Sequence, residues 1–176
     1  MKAKVLFLAL FFGLICPSAA SGQFSLWLVE KRIDIKYSVP NITHQELSEK
    51  LNSKEAVRYV LFDVRERAEY DASHLASALH VDPEMKPDAF FDTFGSMIQG
   101  KNLIFYCSVG DRSSHFIERV QKQAKEKEAL GLYNLRGGIF RWYNEGHPVV
   151  DKKGETNAIH PYDDEWGKLV RKRDRK

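Results

Sequence analysis

One cysteine in the chain stands where several features favour an anionic sulfur. Cys107 directly follows an apolar run, Leu103-Ile104-Phe105-Tyr106, which is typical of a buried strand. A tight loop then leads into a predicted helix, whose terminal N–H groups and positive field favour an anion. The loop and the start of the helix comprise Ser108, Val109, Gly110, Asp111, Arg112 and Ser113. This segment predicts a nucleophilic thiolate at Cys107, with the residues after it binding the substrate.

Strands and helices are predicted to alternate around this loop. Apolar runs predict buried strands over 59–64, 103–106 and 132–135 and a very short strand over 79–81. Helices are predicted over 87–98, over 113–130 with Gly131 as the stop, and over 138–145. Thr43 and Glu46 form a capping-box pattern before a further helix. The alternation predicts an α/β fold with a central parallel sheet and helices on both faces.

The stretch 23–39 fits two structures. Ile33, Ile35, Tyr37 and Val39 alternate as in a strand, whereas residues 24–33 equally fit a helix packed outside the sheet. In either case the ligand site is expected beyond the carboxyl ends of the parallel strands, where Cys107 lies.

Three ordered motifs make the chain resemble the rhodanese family of sulfurtransferases. The segment from Cys107 to Ser113 matches the family's loop C-x-x-G-x-R-S. Residues 63–65 and 69–78 are similar to its D-V-R and E-Y-x-x-G-H-I-x-G-A elements, although Ser73 and Ser77 stand where the family has glycines. Residues 135–149 resemble its closing L-x-G-G-x-x-x-W…G-x-P-V element. Together the motifs cover about 42–150 and predict a single rhodanese-like domain.

The resemblance implies a sulfurtransferase that works through a persulfide on Cys107. A thiosulfate-like or persulfide donor would supply the sulfur, and a thiol or cyanide-like acceptor, or a protein thiol partner, would remove it. The resemblance implies no cofactor. Asp63 and Arg65 follow a strand that runs in the same direction as the one before Cys107, so they either support the site or form a structural ion pair.

Other functions remain open at this point. A non-enzymatic persulfide carrier or binding module would use the same chemistry as an enzyme. A cysteine phosphatase or arsenate reductase also uses a thiolate in an anion-binding loop, but that loop places its arginine six positions after the cysteine. Here Arg112 is five positions after Cys107. The shorter loop favours sulfur transfer.

The composition argues against nucleic acid and metal ions as partners. The 176 residues predict one domain, and 27 basic against 24 acidic residues give a formal charge of only +3. A nucleic-acid binder is usually far more basic, so none is expected. The six histidines and two cysteines show no metal-ligand spacing, so no metal is expected.

The two ends of the chain carry further expectations. Two lysines, an apolar run and small residues predict a signal peptide over 1–20, so the protein is expected in the periplasm or outside the cell, without a stable membrane span. The alternative is a membrane anchor formed by the uncleaved signal. Residues 21–41 and 151–176 are predicted extensions of the domain. In the second, the segment from His160 to Trp166 is expected to pack on the domain, or else His160 or Tyr162 reaches the site, and residues 168–176 form a solvated basic tail.

Overall fold

A parallel sheet forms the centre of the protein. The structure, a computed structural model, describes residues 17–173, with side chains from residue 25 onward. In this part of the chain five parallel strands lie in the order β1-β5-β4-β2-β3. These strands are β1 (Asn41–Ile42), β2 (Tyr59–Asp63), β3 (Leu79–His80), β4 (Asn102–Tyr106) and β5 (Gly131–Leu135). A separate antiparallel hairpin joins β6 (Val149–Asp151) and β7 (Gly154–Thr156).

Helices flank the sheet, which confirms the predicted fold class. They are α1 (Pro17–Lys36), α2 (His44–Leu51), α3 (Arg67–Ala72), α4 (Pro87–Phe94), α5 (Asp111–Glu126), α6 (Gly138–Asn144) and α7 (Asp164–Gly167). Short 3-10 turns span Ala56–Arg58 and Gly95–Met97. The predicted capping box at α2 is present, since the side chains of Thr43 and Glu46 each bind the other's backbone N–H.

The core between the sheet and its helices is aromatic. Phe62 on β2 and Phe105 on β4 stack with their ring centroids 5.0 Å apart, and Phe90 of α4 packs edge-on against Phe62 at 5.1 Å. Phe116 of α5 packs against Phe90, with the ring centroids 5.4 Å apart. These large buried rings hold β2, β4 and α5 together, and the site lies at the ends of these three elements.

Of the two structures that fit the stretch 23–39, the helix is the one observed, as far as Lys36. One predicted element differs from the observed one. The helix after Cys107 begins at Asp111, two residues earlier than predicted, and ends at Glu126. Its chain turns at Glu128, which has a positive φ of 60°. Gly131 therefore begins β5 and is not the helix stop.

Asp63 and Arg65 form a fully buried ion pair at the end of β2. Arg65 donates to both carboxylate oxygens of Asp63, at 2.8 and 2.6 Å, and to the carbonyl of Ser73 at 2.6 Å. Neither side chain is accessible to solvent. The pair thus links the end of β2 to the segment that follows α3.

Both predicted extensions are packed in part against the domain. In α1 the buried Glu30 binds Arg141 of α6 at 2.8 Å, and Asp34 binds Arg136. At the other end Leu169 is buried, and the guanidinium of Arg173 lies 3.7 Å from the ring centroid of Tyr143. Part of 168–173 is therefore packed on the domain, while Lys168 and Lys172 are exposed as predicted for a solvated tail. Residues 174–176 lie outside the described residues.

The predicted signal peptide falls mostly on residues 1–16, which lie outside the described residues, and it stays a prediction. Among the residues that are described, no helix has both the length and the apolar composition needed to cross a bilayer.

Replacing Arg65 tests the importance of the buried pair. Arg65→Met leaves the Asp63 carboxylate buried without its partner, so we expect the free energy of unfolding to fall by about 3–5 kcal/mol in urea denaturation. The control is Arg67→Met, which removes an exposed pair with Asp71. Solvent screens such a pair, so its loss should have little effect. Equal losses in the two variants would contradict the role assigned to Arg65.

Candidate active site

Cys107 lies at the carboxyl end of β4 and at the floor of a cleft. The cleft has a volume of about 620 Å³, and Cys107 lines it together with Ser108, Val109, Asp111 and Arg112. The cysteine is only 1% exposed. Its Sγ accepts a hydrogen bond from the backbone N–H of Gly110 at 3.1 Å. The loop thus curls back so that an amide points at the sulfur, as the sequence predicts for an anion-binding turn.

The start of α6 holds this loop from behind. The N–H of Ile139 donates to the carbonyl of Cys107 at 2.9 Å, and the N–H of Phe140 donates to that of Ser108 at 3.0 Å. In a trans peptide the N–H points opposite to the C=O. The N–H groups of Ser108 and Val109 therefore point away from α6. Because both residues line the cleft and no residue of α6 does, this direction is the cleft side.

Two glycines make this packing sterically feasible. A Cβ on Gly138 would lie 2.3 Å from the Cys107 carbonyl oxygen and 2.6 Å from that of Ser108. Gly110, which precedes α5, has a φ of +108°, a conformation that side chains with a Cβ rarely adopt. Its carbonyl accepts from the hydroxyl of Ser114 at 2.7 Å. Ser113 is buried and donates to Asn134 on β5, so it fixes the helix to the sheet and does not line the cleft.

Arg112 is held by a carboxylate from α3. Its guanidinium donates to both oxygens of Glu69, at 2.7 and 2.8 Å, and to the hydroxyl of Ser108 at 3.0 Å. Ser108 in turn donates to Glu69 at 2.8 Å. Glu69 is buried, and its position at the start of α3 is fixed by a capping box with Glu66.

The pairing of Glu69 with Arg112 favours the charged form of both side chains. Burial alone would raise the pKa of Glu69, but the hydrogen bonds and charge of Arg112 outweigh it, so the pKa lies below its ordinary value. Burial likewise opposes the charge of Arg112, yet Glu69 and the nearby Cys107 raise its pKa. The cation of Arg112 thus stands beside the sulfur with most of its charge balanced by Glu69.

The sequence-predicted residues divide into two groups, apart from Ser113, which binds Asn134 behind the cleft. Ser108, Val109, Asp111 and Arg112 gather with Cys107 around the cleft, and Gly110 supplies the amide to the sulfur. Asp63 and Arg65 pair with one another at the same edge of the sheet, but neither lines the cleft.

Three contributors to the site are not predicted from the sequence. Glu69 belongs to a motif and Gly138 to a glycine pair, and neither residue has a role predicted for it. The third is the cleft wall formed by α1, including Arg32, Ile35 and Lys36. Lys36 binds Asp111 at 3.0 Å. The signals available were the E-Y and G-G motifs, but neither identifies its contact in space.

Tyr162 and Trp166 form another part of the cleft lining. The Tyr162 ring lies 5.1 Å from the guanidinium carbon of Arg112. His160 accepts from the backbone N–H of Tyr162 at 3.0 Å and is not among the lining residues. Of the two residues that the sequence offered for the rim, the structure therefore places Tyr162 there.

Gly138→Ala should displace the cysteine loop. An added methyl group would collide with the Cys107 carbonyl, so we expect a loss of more than tenfold in the rate of modification of Cys107 or in any turnover through it. Gly146→Ala is the matched control, because Gly146 also has a positive φ, of 92°, but open space around its Cα. The control should show only the strain of the left-handed backbone, about 1–2 kcal/mol in urea denaturation. If both variants behaved alike, the close contact at Gly138 would be unimportant.

Comparisons with known proteins find relatives of this chain by sequence. A probable molybdopterin-synthase adenylyltransferase from Porphyra purpurea is 30% identical over 129 residues, which cover 69% of this chain and 31% of that protein. The chain thus spans under a third of the length of this relative. A sulfurtransferase from Allochromatium vinosum is 28% identical over 116 residues, covering 66% of this chain and 99% of that protein.

Solved structures and a family model extend the comparison. An As-Sb reductase from Leishmania major superposes with a TM-score of 0.55 at 20% identity, over 62% of this chain and 79% of that one, a likeness of fold alone. The model of the rhodanese-like domain matches residues 43–145. This match covers more than half of the chain and includes the whole loop from Cys107 to Ser113, and so the chain belongs to the rhodanese-like family.

Proposed function

We propose that the protein transfers sulfane sulfur from a thiosulfate-like or persulfide donor to a thiophilic acceptor through a persulfide on Cys107. The observation that carries the proposal is the hydrogen bond from the Gly110 N–H to Sγ at the floor of the cleft. A donor aimed at the sulfur stabilises its anionic form, and the thiolate is the nucleophile. The relationship to a sulfurtransferase over nearly the whole length of that protein supports the same reaction class.

The first half-reaction loads the enzyme. The thiolate of Cys107 attacks the outer sulfur of thiosulfate, a new S–S bond forms, and the bond to the sulfonate sulfur breaks with sulfite as the leaving group. The product is a persulfide anion on Cys107. Its charge lies among the loop N–H groups, with the guanidinium of Arg112, itself bound to Glu69, nearby.

The second half-reaction unloads the enzyme. A thiolate or cyanide attacks the outer sulfur of the persulfide, takes it, and releases the Cys107 thiolate. The two steps have no common ternary complex, so the kinetics should be of the ping-pong type. A persulfide carrier without turnover is the second candidate. Excess acceptor distinguishes the two, because only an enzyme produces many equivalents of product.

The small number of free donors around Cys107 supports sulfur transfer over phosphate-ester hydrolysis. With Arg112 bound to Glu69 and Ser108, its donors are largely engaged inside the protein. A tetrahedral phosphate needs several free donors around one anion. The available loop N–H groups fit a single sulfur atom better.

The direct test is intact-mass analysis of the protein after thiosulfate treatment. We expect the parent protein to gain one sulfur atom and to lose it again on addition of cyanide with release of thiocyanate. Cys107→Ser should gain nothing, since a serine hydroxyl is barely ionised near neutral pH and cannot carry the sulfur. Efficient hydrolysis of an aryl phosphate without sulfur loading would overturn the proposal.

Arg112 and Glu69 give a test of the electrostatics. Arg112→Ala leaves the Glu69 carboxylate unbalanced near the anionic sulfur, so kcat/KM with thiosulfate should fall roughly ten- to a hundredfold, as for the loss of one charged hydrogen bond. Glu69→Gln leaves the Arg112 cation without its carboxylate, and we expect kcat/KM to fall less in this variant. The double variant Glu69→Gln, Arg112→Ala should recover part of the loss. If the double variant were no better than Arg112→Ala, the negative charge of Glu69 would not be the cause.

A further inference from the structure

Helix α1 packs on the domain with one side and presents its other side to solvent. Leu26, Glu30 and Ile33 are buried, at the three- and four-residue spacing of one helix face. Glu30 binds Arg141 of α6 at 2.8 Å, and this contact fixes the helix on the domain. The opposite side is therefore an ordered surface with a defined set of side chains.

This opposite side mixes apolar and basic residues. Trp27, Leu28 and Ile35 are 46%, 44% and 86% exposed, and they are three of the seven large apolar residues that are exposed in the described part of the chain. Lys31 and Arg32 are exposed between them. With about 3.6 residues per turn, the five side chains occupy less than half of the helix circumference. They form one continuous strip, the outer face of α1.

The charge of the outer face is positive. The acidic residues of this part of α1, Glu30 and Asp34, bind arginines of the domain. Lys31 and Arg32 form no ion pair with any residue in the described part of the chain. The Lys31 ammonium lies 5.9 Å from the ring centroid of Trp27, so charge and aromatic surface are adjacent. Two cations without an ionic partner therefore stand among exposed apolar side chains.

Such a face fits the surface of an anionic bilayer. Apolar side chains enter the boundary between headgroups and acyl chains, while lysine and arginine extend their charged ends to anionic headgroups. A tryptophan ring is favoured at the same depth, because it combines a large apolar surface with one polar N–H.

A protein groove fits the outer face less well. Helices that bind in grooves place apolar anchors at i, i+3, i+4 and i+7. Counted from Leu28, Ile35 occupies position i+7. Lys31 and Arg32, however, occupy i+3 and i+4. Charge thus interrupts the row of anchors, which an anionic surface accommodates and an apolar groove does not.

The sequence before α1 is also apolar. Residues 5–15 form an apolar run, and no charged residue stands between Lys4 and Glu30. An uncleaved signal would hold α1 at the bilayer by this run, whereas a chain cleaved after residue 20 keeps the outer face as its lipid contact. The outer face is therefore compatible with both predicted fates of residues 1–20.

We infer that the outer face of α1 docks on an anionic lipid bilayer. Leu28 and Ile35 enter the boundary below the headgroups, and Lys31 and Arg32 bind lipid phosphates. Arg32 and Ile35 also line the cleft of Cys107, so docking places the cleft beside the lipid surface. The inference does not depend on the proposed sulfur transfer.

Sedimentation of the full-length protein with vesicles tests the charge. We expect the partition coefficient to be about tenfold higher for vesicles that contain phosphatidylglycerol than for pure phosphatidylcholine, and to fall as salt is added. The double variant Lys31→Gln, Arg32→Gln should lose most of this preference. The matched control, Lys152→Gln, Lys153→Gln, removes two exposed cations between β6 and β7 and should keep it.

Two outcomes of this experiment would overturn the inference. Equal losses in the two double variants would show an effect of net charge alone. A parent protein with no preference for anionic vesicles would leave a protein partner as the ligand of the outer face.

The apolar contribution has its own pair of variants. Leu28→Ser, Ile35→Ser should lower the partition coefficient on anionic vesicles about tenfold, because two side chains no longer leave water on docking. Val57→Ser, Leu130→Ser changes two exposed apolar residues elsewhere and should have no effect. A loss in the second variant and none in the first would place the lipid contact outside α1.

Quenching by brominated lipid locates the contact, whatever residues 1–16 contribute to binding. On anionic vesicles that contain brominated phosphatidylcholine, we expect the tryptophan fluorescence of the parent protein to be quenched. Trp27→Phe should lose most of this quenching, whereas Trp166→Phe, the control, should retain it. Quenching that persists in Trp27→Phe would show that α1 does not touch the lipid and would refute the inference.

Discussion

The contact between Gly138 and the carbonyl of Cys107 constrains the loop around which the rest of the site is built. The first N–H groups of α6 bind the carbonyls of Cys107 and Ser108, and they approach so closely that a Cβ at position 138 has no room. With the carbonyls fixed on one side, peptide planarity directs the adjacent N–H groups to the other side. The cleft side of the loop is therefore rich in donors because the opposite side is tied to a helix that contributes no residue to the cleft.

Around this loop the protein balances its charges inside the fold. Glu69 binds Arg112 and Ser108 together, so α3, the loop and the start of α5 share one network. A buried carboxylate is costly unless it is paired and hydrogen-bonded, and here both oxygens are used. The guanidinium beside Cys107 consequently acts as a positioned dipole with its carboxylate more than as an isolated cation. This makes the loop amides the more direct source of stabilisation for an anionic sulfur.

The sequence was sufficient for four of the five strands of the central sheet and for the position of the cysteine, but it did not predict β1. Buried strands are continuous apolar runs, and glycine within a strand-to-helix loop is a local signal. The sequence did not decide between a strand and a helix for α1. In the structure Ile33 and Tyr37 are buried one helical turn apart, while Ile35 between them is exposed. The alternation of apolar residues at 33, 35, 37 and 39 does not indicate this difference in burial. The pairing of Glu69 with Arg112 spans 43 residues and follows only from the folded chain.

The basic residues near the end of the chain predict a solvated tail, but part of this segment packs on the domain. A run of lysines and arginines suggests solvation, yet Leu169 is buried and Arg173 packs its guanidinium on Tyr143. Arginine can cover an aromatic face while keeping its charge, so basic composition does not exclude docking. Asn144 of α6 binds the carbonyl of Leu169 and the N–H of Arg171, which fixes this segment to the helix that supports the loop.

Helix α6 therefore connects the loop that carries Cys107 to both segments that wall the cleft. The start of α6 holds the cysteine loop, Arg141 within it binds Glu30 of α1, and Asn144 at its end binds the C-terminal segment. A shift of α6 would move the thiol and both walls together, which preserves their relative positions. Substitutions on the exposed lining of the walls, by contrast, change the cleft without touching these anchors. The fold thus allows the cleft-lining residues on α1 and beyond residue 160 to vary while the geometry around Cys107 stays fixed.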